Sequence, residues 1–225
     1  MYCGMKRARF ITFEGGEGVG KSTQVERLAR HLRARGIQCL VTREPGGSPF
    51  AERTRELLLD ASAGPRDPLA EALMCYAARA DHLATSIRPA LAAGRWVLCD
   101  RFSDSTRAYQ GAASGVNREL LSRLERMVVA STRPDLTLIL DLDPATGLAR
   151  AEARRAGAGP EAGPGPGAAK DSFEGRSRAF HERLRKAFLE IAREDPQRCA
   201  VLAADAAPEA IEADIWTHVQ ERLLS

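Results

Sequence analysis

The run Gly15-Gly16-Glu17-Gly18-Val19-Gly20-Lys21-Ser22 satisfies the spacing G-x-x-x-x-G-K-[ST] in full. Glycines at these positions let successive backbone N–H groups point inward, and a helix opening at the last glycine adds its partial positive charge beneath an anion. A lysine at the seventh position reaches β- and γ-phosphates, and the next hydroxyl can hold Mg²⁺. The motif is preceded by the apolar run Phe10-Ile11-Thr12-Phe13 and followed by Val25, Leu28 and Leu32 at helical spacing. Strand, loop and helix in that order are the context the motif requires. Gly15 to Ser22, with Thr23 beside them, are therefore read as a nucleoside-triphosphate site.

A metal held by Ser22 also needs a carboxylate at the end of a buried strand. Asp100 follows Trp96-Val97-Leu98-Cys99, and Asp141 follows Leu138-Ile139-Leu140. Asp100 is favoured because Arg101 comes next and can meet a transferring phosphate. Asp141 and Asp143 are read as structural, with Asp143 before Pro144 capping a helix. Further arginines at strand ends and on a helix, Arg43 and Arg79, suit a second anionic substrate. A GTPase is excluded on a simple ground. Asn117 is the only asparagine and Arg118 follows it, so no Asn-Lys-x-Asp guanine reader exists.

The elements that must carry these residues alternate along the chain. Strand-like runs at 9–13, 38–42, 96–99, 136–140 and 199–202 are continuous and apolar, the pattern of strands covered on both faces of a parallel sheet. Between them lie helical patterns: the first one ending at Gly36, one from about Leu69 to Ala93, and others at 120–128, 180–191 and around Ile211, Ile215 and Val219. The expected fold is α/β, a doubly wound five-stranded parallel sheet flanked by helices, as one domain over 1–225. The run AGAGPEAGPGPGAA at 156–169 lacks the apolar surface to offset its ordering entropy and is expected to be mobile. On composition alone it reads as a surface insertion.

The 225 residues are 44% hydrophobic and 28% charged, enough for a sizeable core and unlike a disordered or collagen-like chain. Thirty-three Lys and Arg against 30 Asp and Glu leave +3, too little to gather nucleic acid or an anionic membrane. No apolar run is long enough to span a bilayer. Five scattered cysteines without CxxC spacing read as reduced thiols, which points to the cytoplasm.

With these pieces in place the chain resembles the bacterial thymidylate kinases, P-loop nucleoside-monophosphate kinases. The resemblance rests on Phe13-Glu14-Gly15 entering the P-loop, Thr42-Arg43-Glu44-Pro45-Gly46-Gly47, Tyr76-Ala77-Ala78-Arg79, Asp100-Arg101-Phe102 and Ser105-Thr106-Arg107-Ala108-Tyr109-Gln110-Gly111. It implies ATP + dTMP → ADP + dTDP with Mg²⁺, usually in a homodimer. It further implies Glu17 near the sugar 3′-hydroxyl, Arg79 and Arg101 on the dTMP phosphate, and Arg43 shaping that site. Pro45, Cys75, Thr106, Tyr109 and Gln110 are expected around the nucleoside. No arginine stands among Gly16, Glu17, Gly18 and Val19, which in this family goes with lid-borne cations. That turns Arg150, Arg154 and Arg155, in a lid of about 150–172, into catalytic candidates beside Lys21 and Arg101. A kinase with another base preference, or a P-loop binding module with little transfer activity, stays open on sequence grounds.

Two positions depart from the family pattern. Ser172 follows Asp171 where an arginine is usual. Cys75 stands four residues before Arg79, where the family usually has a phenylalanine stacking on thymine. Tyr76 is one step on, about 100° around a helix, and is no automatic substitute. A stack of this kind contributes roughly 1 kcal/mol beyond burial. Cys75→Phe is therefore expected to lower KM for dTMP about fivefold, and steady-state kinetics showing no gain would contradict the assignment.

Overall fold

A computed structural model describes residues 7–157 and 172–224. The sheet among them has five parallel strands in the order β2-β3-β1-β4-β5. These are β1 (Phe10–Glu14), β2 (Cys39–Arg43), β3 (Trp96–Asp100), β4 (Leu136–Asp141) and β5 (Cys199–Ala203). All five expected strands are present within a residue or two of their expected bounds. Full burial, however, belongs to the central ones. β1 is buried throughout, and β3 and β4 are buried except at Asp100 and Asp141, whereas β2 is half-buried and Val201 and Ala203 of β5 are exposed. An edge strand has a neighbour on one side only, so helices need not cover it completely.

Alternation along β1 divides the core. Ile11 and Phe13 join the side chains of α1 (Lys21–Ala34) and α9 (Pro208–Val219) on one face. Phe10 turns to the other face and joins Leu83, Ile87, Val97 and Phe102. On that same face Ile139 meets Leu184 and Phe188 of α8 (Arg178–Glu194). Helices on both faces of a parallel sheet make the fold doubly wound.

The helix expected across Leu69–Ala93 is divided. α3 (Pro68–His82) leads through a π turn, Leu83–Ile87, into α4 (Arg88–Ala92). The wider turn lies just ahead of Pro89, which has no N–H to give a helical rung. Two helical stretches had no counterpart in the hydrophobic pattern. α2 (Pro49–Leu59) packs against α3, and α5 (Ser103–Thr106) runs into a second π turn, Arg107–Ala113. The latter is polar on the side that faces the cleft, so it carries no apolar stripe of helical period. α6 (Arg118–Val128) and α7 (Pro144–Gly157) complete the set, and Asp143 caps α7 as expected by accepting from Ala145 N at 3.0 Å. Most of the expected lid, residues 158–171, lies outside the described residues, as does Cys3. No helix of the described residues is long and apolar enough to cross a membrane.

Candidate active site

The C-terminal ends of β1, β2 and β3 face one cleft, the usual ligand edge of an open α/β sheet. Register sets the spacing there: Phe13 of β1 and Arg43 of β2 both stand opposite Asp100 of β3. The cradle grows out of β1. Gly15, Gly18 and Gly20 adopt positive φ of 132°, 66° and 91°. Gly18 could not carry a side chain, since a Cβ would lie 1.9 Å from Gly147 O at the start of α7. α1 begins at Lys21 with no side-chain cap and no acid in its first turn. In contrast, Ser48, Asp67, Asn117 and Ser177 cap α2, α3, α6 and α8. The uncapped N–H groups of α1 leave an opening suited to phosphate.

Lys21 Nζ donates to Gly16 O at 2.6 Å and Gly15 O at 3.3 Å, so the ammonium is folded back over the loop. Burial, with Arg101 nearby, lowers its pKa to about 8. Ser22 Oγ donates to Asp100 Oδ2 at 2.6 Å, bringing the two expected metal-holding oxygens together. Asp141 is taken up by a bidentate pair with Arg185 at 2.6 and 2.8 Å, in keeping with a structural role.

Arg101 joins the cradle to a second pocket. Its backbone is left-handed, with φ of 68°, a strained choice for a residue with a side chain. Nη1 donates to Gly15 O at 2.8 Å and Nη2 to Glu17 Oε1 at 3.0 Å. Tyr109 also donates its hydroxyl to Glu17 Oε1, and the Arg101 guanidinium lies 4.9 Å over the Tyr109 ring. Burial opposes charge on Glu17, but Arg101 and Lys21 outweigh it and hold the carboxyl down at about 2.

Beyond Glu17 the pocket offers about 110 Å³. Pro45, Cys75, Arg79, Arg101, Thr106, Tyr109 and Gln110 line it, together with Arg55, Leu58, Leu59, Phe102, Ser105 and Phe173. Tyr76 is not among them; its hydroxyl reaches Leu121 O at 3.1 Å on the α6 side. Phe102 and Phe173 supply aromatic surface that Cys75 does not. Arg79 is held deep by Glu44 Oε2 at 2.7 Å and by Phe102 O and Thr106 Oγ1, both at 3.1 Å. Its remaining nitrogen, Nη1, is buried without a partner.

Arg43 is not brought into this pocket. It ends β2 on the exposed side and pairs with Glu52 at 2.9 Å, while Arg55 of α2 takes a place in the lining. Arg55 donates Nη1 to Pro45 O at 3.0 Å, and its Nε has no partner. The three lid candidates sit on the last turns of α7 in different company. Arg150 donates to Ala204 O at 2.8 Å, Arg155 pairs with Glu174, and Arg154 is exposed without a partner among the described residues. Thr23 is exposed on the first turn of α1, and Val19 is buried in the loop.

Comparison with known proteins decides what kind of cleft this is. The sequence profile described as thymidylate kinase matches residues 13–215. A thymidylate kinase of Caulobacter vibrioides is 53% identical over 97% of this chain and 99% of its own. Another, of Bradyrhizobium diazoefficiens, is 48% identical over 97% and 91%. The chain belongs to the thymidylate kinase family. The fold agrees with that assignment: a solved thymidylate kinase from Ehrlichia chaffeensis superposes with a TM-score of 0.73 at 32% identity, covering 95% of this chain and 98% of that one.

Sequence reasoning missed two residues of this thymidylate kinase site. Arg55 escaped because α2 has no clear apolar stripe. The signal that was there is Ser48-Pro49, a cap followed by proline at the first helical position. Glu14 was seen only as part of a motif. It is fully buried and accepts from Phe102 N at 2.8 Å and Ser105 Oγ at 2.6 Å, pinning both sides of the Arg101 turn. Burial, then repulsion from Asp104, raises its pKa to about 7.

A carboxyl raised on folding binds its proton more tightly in the native state. Its contribution to stability is complete below the unfolded pKa near 4.5 and is lost as pH rises through about 7. Glu14→Gln, which stays neutral, should therefore gain stability relative to the parent between pH 5 and pH 8. Thermal melts at the two pH values check this, and a constant difference would count against it.

Proposed function

We propose that this chain transfers the γ-phosphoryl group of ATP to dTMP, forming dTDP, and that Ser22 and Asp100 hold Mg²⁺ in the process. The observation that carries the reading is Arg101, which touches the carbonyl of the phosphate cradle with one nitrogen and the wall of the second pocket with another. A triphosphate on Gly15–Ser22 and a monophosphate beside Arg101 and Arg55 would meet there. The donors fit the metal: one hydroxyl and one carboxylate 2.6 Å apart are a sparse, hard oxygen set, the kind Mg²⁺ uses when phosphates and water fill its other positions. Bound there, Mg²⁺ supplies charge neutralisation and geometry to the phosphates.

The protein's own part follows from electrostatics. The attacking oxygen already belongs to an ionised phosphate, so no strong base is needed and the problem is repulsion between two anions. Lys21 leaves Gly15 O and Gly16 O to meet the incoming phosphates, which favour its charged form. Arg101, kept charged by Tyr109, Glu17 and Asp100 despite its burial, stands between the substrates. Glu17, ionised and fixed by Arg101 and Tyr109, accepts from a sugar hydroxyl. Pro45, Cys75, Thr106, Tyr109 and Gln110 surround the nucleoside; Arg79, expected on the dTMP phosphate, is tied back to Glu44 in the depth of the pocket, and its partnerless Nη1 serves there as a hydrogen-bond donor to the nucleoside instead. Arg154, with Arg150 and Arg155 on the same helical end, reaches the transferring group as a lid cation. Unpaired cysteines among the described residues support a cytoplasmic setting, and we read 1–225 as a single kinase domain.

A homodimer is supported by one surface. Phe50 and Leu57 of α2, Leu69 and Leu73 of α3, and Leu120 and Met127 of α6 are exposed on three adjacent helices, a larger apolar area than isolated surface residues make. A second copy of the chain is the proposed cover.

Three measurements test these readings. Coupled assay of ADP and direct detection of dTDP should show transfer from ATP to dTMP that Lys21→Ala lowers by a hundredfold or more, on the order of a lost charge-stabilising donor. Arg154→Ala should reduce kcat with little change in KM for ATP, because its contact forms mainly in the transition state; an unchanged kcat removes it from the mechanism. Light scattering should give twice the mass of one chain, and Leu73→Glu with Met127→Glu should return it to the single-chain value.

A further inference from the structure

Gln110 lines the nucleoside pocket and is nearly inaccessible to bulk water. Its amide can face two ways, and a residue behind it decides which. Glu71, in the first turn of α3 and 1% exposed, accepts from Gln110 Nε2 through Oε2 at 3.2 Å. Its other oxygen accepts from Arg176 Nη2 at 2.6 Å. Arg176 is itself clamped: its guanidinium lies 4.8 Å from the ring centres of both Phe173 and Phe180, and Nη1 donates to Ser114 Oγ at 3.0 Å. Both Glu71 oxygens therefore act as acceptors, one for the guanidinium and one for the amide. Turning the Gln110 amide over would set oxygen against oxygen. The NH₂ group is thus committed to Glu71, and the carbonyl oxygen, to which no described residue donates, is left for the pocket.

The same pocket contains Arg79, whose Nη1 has no partner. One fixed donor and one fixed acceptor therefore remain for a base. We propose that Glu71, held by Arg176, is a positioning residue that locks the Gln110 amide oxygen toward the base and so selects pyrimidines carrying N3–H beside a carbonyl. Thymine and uracil present that edge, an acceptor at O4 and a donor at N3. Cytosine presents the reverse, an amino donor and a bare ring nitrogen, and would set donor against donor and lone pair against lone pair. A buried polar group left unpaired is what makes such discrimination large. The 5-methyl group is not read by this device, which passes uracil as well as thymine.

The inference rests on the thymidylate kinase reading, and the test separates the two. Wild type and Glu71→Gln are assayed with ATP against dTMP, dUMP and dCMP. Wild type should favour dTMP over dCMP by a hundredfold or more in kcat/KM. Glu71→Gln turns the amide over, because Arg176 holds the oxygen of the new side chain and its NH₂ then faces Gln110. The ratio should fall at least tenfold, chiefly through KM for the monophosphate, with KM for ATP unchanged. A merely structural Glu71–Arg176 tie would lower activity on all substrates alike and leave the ratio where it was, and that result overturns the proposal. Should Glu71→Gln not fold, the double variant Glu71→Gln/Arg176→Met leaves no unpaired charge, and the same ratio decides. Wild type that makes no dTDP refutes the activity; wild type that makes dTDP but treats dCMP equally refutes the lock alone.

Discussion

The repulsion between two phosphate-bearing substrates is the constraint to which most of this molecule answers. Their anionic ends must approach within bonding distance, and at that range no single cation suffices. The cleft concentrates Lys21, Arg55 and Arg101 around one point, each partly or wholly out of water. Packing cations that closely is itself unfavourable: Arg101 helps lower the pKa of Lys21, and Arg43 helps lower that of Arg55. The protein offsets the strain with carboxylates on the far sides, Glu17 for Arg101 and Glu44 for Arg79. The site gathers mutually repelling cations and holds them in place with carboxylates, an arrangement that phosphates relieve.

Holding Arg101 costs conformational strain as well. Its left-handed backbone persists because neighbours over-determine it. Arg101 N continues the sheet pattern by donating to Phe13 O at 2.9 Å, and Glu14 takes the next backbone N–H and the Ser105 hydroxyl. The central position of β1 matters here. With β3 beside it, the residue that ends β1 and the residue that follows β3 are adjacent, so one buried carboxyl can fix the turn that carries the cation. The sheet order thereby becomes a statement about where positive charge sits.

Much of this was legible in the residues. Five apolar runs, a glycine loop with lysine, and an acidic residue ending a strand specify their own structure locally, and the strands fall within a residue or two of their expected bounds. What escaped had a common cause. α2 and the stretch from Ser103 to Ala113 turn a polar side to the cleft, so their hydrophobic pattern is incomplete even though they are helical. Missing α2 meant missing Arg55, and with α2 absent Arg43 was the natural cation to place in the pocket. The strand pleat decides otherwise: Arg43 ends an edge strand on the open side, where Glu52 meets it. Glu14 was invisible for a different reason. A glutamate at the end of an apolar run reads as a solvated terminus, and only the packing of the Arg101 turn above it makes it buried.

The recognition half of the cleft shows how polar groups can be buried and still read a ligand. Arg79 and Glu44 would be a net liability in the interior if either lacked its partner. They are extended into a chain: His82 meets Glu44 Oε1 at 2.9 Å, and Thr42 Oγ1 meets the other ring nitrogen at 2.7 Å. Every atom of that chain is engaged except Arg79 Nη1. On the opposite wall Glu71 and Arg176 engage the Gln110 NH₂ and leave its oxygen. In both cases the network fixes a rigid group and withholds a single hydrogen-bonding atom from the protein. An unsatisfied buried donor is worth roughly 1–3 kcal/mol to whatever ligand completes it, and it penalises by a similar amount any ligand that cannot. Affinity and discrimination then come from the same atoms.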